Sequence, residues 1–166
     1  MIPLALDNAL VVGVGADVSG PVVVVEAAPR ALHNGLLPFL IVDGALAGPR
    51  LDVKGGLQLR HAFTDVVFVR GAVDAGAFVV GVEGGVVADL VVDVGFVIGP
   101  VDLVVGPVVG AAASVDDFRV TPGAHVGAII DVVDHVEFVV DAEGGYDLGG
   151  AYGHAADGAV DAGVVV

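Results

Sequence analysis

Apolar residues along this chain come in short runs between glycine- and proline-rich breaks, and almost no window keeps the three-to-four-residue spacing of an amphipathic helix. The runs are Val11–Val14, Val22–Glu26, Leu37–Val42, Leu57–Ala62, Val66–Val69, Val104–Val109, Ala128–Val133 and Val136–Val140. Turn signals fall at Asp43-Gly44, Gly48-Pro49, Gly55-Gly56, Gly84-Gly85, Gly99-Pro100, Pro122-Gly123 and Gly144-Gly145. Valine dominates the runs, and its β-branch suits a pleated surface better than a helix. The one stretch with a weak helical lean, Glu26–Leu32, is cut by Pro29. The pattern predicts an all-β chain, a sandwich or a barrel.

Residues 67–115 differ in texture from the rest. They are long, glycine-punctuated and without Lys, with Arg70 as the only Arg. They are expected to form two long strands, about 70–88 and 94–113, joined near Ala88–Val94. Strands of that length exceed the usual five or six residues, so the segment reads as a hairpin projecting from a globular body of 1–66 plus 116–166. A lone hairpin leaves unpaired edges and would pair with copies of itself; in lipid those edges must close into a barrel. The alternation of apolar and polar positions expected for such a barrel is poor along 67–115.

Composition sharpens this. Of 166 residues, 40 are Val, 26 Gly, 24 Ala and 17 Asp, while Thr, Ser and Asn occur twice each and Gln once. There is no cysteine, which excludes disulfides and cysteine-ligated metal sites. The formal charge of −15, from 6 Lys and Arg against 21 Asp and Glu, argues against a nucleic-acid partner, which needs clustered cations. A hydrophobic content of 56% argues against disorder. The longest apolar region, 79–115, is interrupted by Glu83, Asp89, Asp93 and Asp102 and is not a spanning helix. No basic n-region or cleavage signature follows Met1, so a signal peptide is not expected within this chain.

Motifs that carry chemistry are weak. Gly13-Val-Gly15-Ala-Asp-Val-Ser-Gly20 has the glycines of a dinucleotide loop, but Pro21 and four valines follow where a helix is required, so a turn is the better reading. His33, His61, His125, His135 and His154 include no pair at helical zinc-site spacing. Asp131, Asp134 and His135 are neighbours in sequence, but alternation puts Asp134 and His135 on opposite strand faces. Ser19 and Ser114 lie in no nucleophile elbow, and nothing positive points to an enzyme or a cofactor. The glycine- and acid-rich tail from Asp141 lacks the nine-residue recurrence of a calcium β-roll. Glu83, Asp89, Asp93 and Asp102 matter more: if residues 67–115 lie in lipid, these carboxylates must face a lumen or a turn, and a ring of them would favour cations. The plainer reading makes Asp89 and Asp93 ordinary turn residues.

Several segments occur in an order that resembles the MspA-type porins of mycobacteria and related actinobacteria. These are Ile2-Pro-Leu with Val11-Val-Gly-Val, Ala31-Leu-His-Asn-Gly-Leu-Leu, Ile41-Val-Asp-Gly and Gly55-Gly-Leu-Gln-Leu; then, past residue 115, Val120-Thr-Pro-Gly, Ala142-Glu-Gly-Gly, Gly149-Gly-Ala-Tyr-Gly-His, Asp157-Gly-Ala and Gly163-Val-Val. The chain departs from that family at Leu59-Arg-His-Ala-Phe, which has neither Tyr nor Cys, and in carrying only Phe78 and Phe96 as aromatics of the two expected strands, 70–88 and 94–113. The resemblance implies a β-sandwich rim from 1–66 and 116–166, with hairpin 67–115 joining seven others in a 16-stranded barrel of a homo-octamer. It implies an exported protein of a mycolic-acid-type outer membrane, in contact with lipid, that passes ions and small hydrophilic solutes without a cofactor or metal. Asp89 and Asp93 would form the pore constriction, with Glu83 and Asp102 lining the pore. The competing reading is a soluble, secreted β-sandwich that assembles through its strand edges, with calcium on its surface carboxylates.

Overall fold

A computed structural model describes residues 7–17, 20–30, 35–45, 50–133, 136–149 and 156–165. Every element among them is a strand: β1 (Asp7–Asp17), β2 (Gly20–Arg30), β3 (Gly35–Ala45), β4 (Arg50–Ala62), β5 (Val67–Val80), β6 (Glu83–Ile98), β7 (Val101–Ser114), β8 (Phe118–Val133), β9 (Val136–Tyr146), β10 (Leu148–Gly149) and β11 (Ala156–Val165). Strands β1 to β8 pair each with the next, β1 also pairs β11, β11 pairs β9, and β9 pairs β8. The sheet is therefore a closed, antiparallel barrel of ten strands, with the two-residue β10 appended to β8. Closure leaves no long edge unpaired among the described strands.

This differs from the expected hairpin and rim. Residues 67–115 form three strands, not two, and stand in the same sheet as the seven strands contributed by the flanking segments. Ala88–Val94, expected at a hairpin tip, lies in the middle of β6. The turns instead fall at Gly81-Val82 and Gly99-Pro100, each led by a glycine at φ near +60° (64° and 62°), as a two-residue type II′ turn demands. The β4–β5 connection is held by Thr64, whose Oγ1 accepts hydrogen bonds from the backbone N–H of Val66 (3.2 Å) and Val67 (2.9 Å). Glu26–Arg30, the described part of the weak helical candidate, belongs to β2.

The barrel is inverted relative to a water-soluble one. Along β4, Leu51, Val53, Leu57 and Leu59 point outward, while Arg50, Asp52, Lys54, Gln58 and Arg60 point inward. Along β6, Val86, Leu90, Val92, Val94, Phe96 and Ile98 are exposed, while Asp89 and Asp93 face inward between them. The same parity carries through each described ladder, so the outer wall is a continuous apolar surface.

Prolines and glycines inside strands have local reasons. Pro21 precedes the first β2–β3 pair and Pro38 lies beyond the last; Pro122 precedes the first β8–β9 pair; Pro107 sits at a two-residue gap in the β6–β7 ladder. Each missing N–H therefore falls where a ladder is absent. Three inward phenylalanines each cover a glycine directly across the strand: Phe39 over Gly56, Phe78 over Gly85 and Phe68 over Gly95. A Cβ at Gly95 would run into the Phe68 ring. These aromatic–glycine pairs fill the interior where the glycine backbone would otherwise lie bare.

Candidate functional site: the charged lumen

The barrel interior is a cavity of about 770 Å³ whose wall is charged. Carboxylates outnumber cationic side chains on that wall by more than two to one. In several places the ladder sets like charges directly opposite each other: Asp43 with Asp52, Arg60 with Arg70, and Asp74 with Asp89. Such pairs repel, and each is offset by a third group from a neighbouring position. Arg50 bonds Asp52 at 2.6 Å. Arg60 reaches Asp102 at 3.0 Å and stacks on the Phe68 ring at 3.8 Å, while Arg70 reaches Asp93. Lys54 Nζ donates to Asp89 at 2.9 Å and lies 4.0 Å from Asp74.

The best-connected group spans β5 to β9. Arg70 grips Asp93 Oδ2 with two donors, at 2.6 and 3.0 Å, and Asp93 is wholly excluded from solvent. His125 is placed between two carboxylates, with Nδ1 3.1 Å from Asp93 and Nε2 2.9 Å from Asp141. Asp93 on β6 and His125 on β8 meet across β7 because the intervening residue is Gly106, where a Cβ would strike the backbone of Val92. Gly127 makes the corresponding room for the Asp141 carboxylate. Both ring nitrogens of His125 are engaged, so the residue ties strands together and has no nitrogen left to serve as a base. At the β7–β8 end, Asp147 is buried and is bonded by the Thr121 hydroxyl, with Arg119 at 3.5 Å.

The four acids singled out in the sequence are strung along the barrel axis. Glu83 opens β6 at one rim and is exposed; Asp89 and Asp93 follow at mid-strand, both pointing inward, Asp89 onto the cavity and Asp93 shut off from solvent; Asp102 is the second residue of β7, at the other rim, and pairs with Arg60. Asp89 and Asp93 thus sit inside the barrel wall and not at a loop tip. Lys54, Arg60, Arg70, Asp74, His125 and Asp141 were not singled out as site residues, although their parity marks them. Arg50, Asp52, Lys54, Gln58 and Arg60 all fall on alternate positions of one strand, as do Arg70 with Asp74 and Asp89 with Asp93. Ser19, His33, Asp134, His135 and His154 lie outside the described residues.

Among the described residues no group of three or more His, Asp or Glu side chains is arranged to hold a metal ion. No helix there is long and apolar enough to cross a membrane, a statement that does not bear on crossing by strands. No protein-family model matches the chain, and no curated protein matches its sequence.

Proposed function

We propose that this protein is a membrane-spanning β-barrel of the porin type, a narrow channel that passes small ions and hydrophilic solutes through an outer membrane with a preference for cations. The observation that carries the reading is the inversion of the barrel, with leucine, valine and phenylalanine outside and paired charges inside. In water that outer wall would be an apolar patch far beyond what a soluble monomer exposes, which counts against the secreted soluble sandwich. In lipid it matches the alternation of a transmembrane strand, and the ten barrel strands, of 10 to 16 residues, are long enough for the 9–11 needed to cross at a tilt.

The excess of lumen carboxylates supports cation preference, with Asp89 as its mid-channel member; Asp93, expected beside it at the constriction, is shut off from solvent by Arg70 and His125. Ten strands enclose far less space than the 16 of a large porin, so the conductance is expected to be small. An octameric ring, as the resemblance implies, would have to assemble from complete barrels through their apolar walls, because one chain already pairs its own long strands. The test is single-channel recording in a planar bilayer under a salt gradient. Discrete small openings with a cation-positive reversal potential are expected. Barrels that insert as folded protein and pass no current would overturn the channel reading.

A further inference from the structure

Asp74 and Asp89 stand directly opposite each other on β5 and β6, both facing the cavity. Asp74 is only 8% exposed, and its Oδ1 is buried without a hydrogen-bond partner. The cation nearest to both is the Lys54 ammonium, and it is off-centre: 2.9 Å from Asp89 Oδ2 but 4.0 Å from Asp74 Oδ1, too far for a hydrogen bond. On the flanking strands the positions beside this pair are Gly56, opposite Asp74, and Gly110, opposite Asp89; the first is covered by the apolar Phe39 ring, and neither position supplies a cation. The pair therefore sets two carboxylates against a single ammonium, which sits on one of them.

We propose that Asp74 and Asp89 form a binding station for a hard cation, with Ca²⁺ the class it fits, and that Lys54 is a tethered counter-ion competing for it. Carboxylate oxygens from two side chains, completed by lumen water, are the donors such an ion takes. The lysine is a compact charge on a flexible stem, able to swing aside without unfolding its strand. Its role is to hold divalent affinity low, so that divalent ions leave the lumen and do not block it; binding must be weak enough for exit if the ion is to pass. This last point rests on the channel reading; the binding itself does not.

The experiment is Ca²⁺ titration calorimetry on barrels folded in detergent micelles, run alongside bilayer recording. Lys54→Gln removes the competitor and should tighten Ca²⁺ binding on the order of tenfold or more. Lys54→Arg keeps a charge there and should bind as the wild type does. Adding Asp74→Asn to Lys54→Gln should abolish the gain. In bilayers, Ca²⁺ should block the potassium current of Lys54→Gln at concentrations that leave the wild type open. A folded Lys54→Gln barrel with unchanged Ca²⁺ affinity overturns the proposal. Tightened binding in barrels that carry no current upholds the station and overturns the channel. Should Lys54→Gln not fold, Asp74→Asn alone decides: loss of the weak wild-type affinity upholds the station, and unchanged affinity overturns it.

Discussion

Replacing Leu90 by arginine separates a lipid-facing barrel wall from a water-facing one. Leu90 is the eighth of sixteen residues in β6, points outward and is 49% exposed. Ile98 is on the same face, eight residues further on, beside the Gly99-Pro100 turn. Eight residues of strand span about 26 Å, which at a tilt of about 40° is roughly 20 Å of depth. The outward apolar band of a membrane barrel is about 25 Å tall, so with Leu90 near its middle, Ile98 lies outside it. Leu90→Arg should then cost about 2–4 kcal/mol of folding stability in lipid, and Ile98→Arg no more than about 1 kcal/mol. The assay is reversible unfolding by guanidinium of protein folded into phosphatidylcholine vesicles, followed by circular dichroism. Equal costs at the two positions, or a neutral Leu90→Arg, would refute the membrane placement. A soluble barrel predicts the neutral result, since arginine on a wet surface rarely matters.

Three further outcomes follow from the interior. Asp93→Ala strands Arg70 and His125 and should destabilise the barrel by about 3 kcal/mol, the cost of breaking a buried pair, in the same vesicle assay; a loss under about 1 kcal/mol would mean the network is not formed. Gly95→Ala pushes a methyl into the Phe68 ring and should cost roughly 1–3 kcal/mol, with Phe68→Leu in the same chain recovering part of it; additive losses would contradict the aromatic–glycine pairing. Asp89→Asn should lower the cation-to-anion permeability ratio in a planar bilayer, and an unchanged ratio would remove that carboxylate from the conduction path.

The all-β class was legible because valine runs punctuated by glycine leave no helical alternative. The strand count of residues 67–115 was not. Gly84-Gly85 reads as a turn, but Gly85 lies inside β6, where its missing side chain leaves room for the Phe78 ring. Asp43-Gly44, Gly55-Gly56, Pro122-Gly123 and Gly144-Gly145 likewise run through strands β3, β4, β8 and β9. In this barrel the residues that elsewhere mark turns relieve crowding within strands. Asp89 and Asp93 read as a loop tip because aspartate favours turns; here they are inward-pointing mid-strand residues paired with Lys54 and Arg70 from other strands. The alternation was hidden because valine and alanine occupy both faces: Val87, Val91 and Val97 point inward on the strand whose Val86, Val92 and Val94 point outward. The readable part of the pattern was the parity of the charges. The contacts between those charges, such as His125 reaching Asp93 across a glycine, depend on register and closure, which no single strand encodes.

The account turns on which face of the wall meets lipid, and the chain's lack of cysteine makes a direct measurement possible. Single cysteines at consecutive positions 86 to 92 of β6, spin-labelled in protein reconstituted into bilayers, report oxygen and nickel-chelate collision rates residue by residue. Labels at 86, 88, 90 and 92 should collide with oxygen, which dissolves in lipid, and be shielded from the chelate. Labels at 87, 89 and 91 should show the reverse or be shielded from both. Period-two alternation with lipid on the even positions is the predicted result. Oxygen on the odd positions, or water-like collision rates on the even ones, would contradict the inverted barrel.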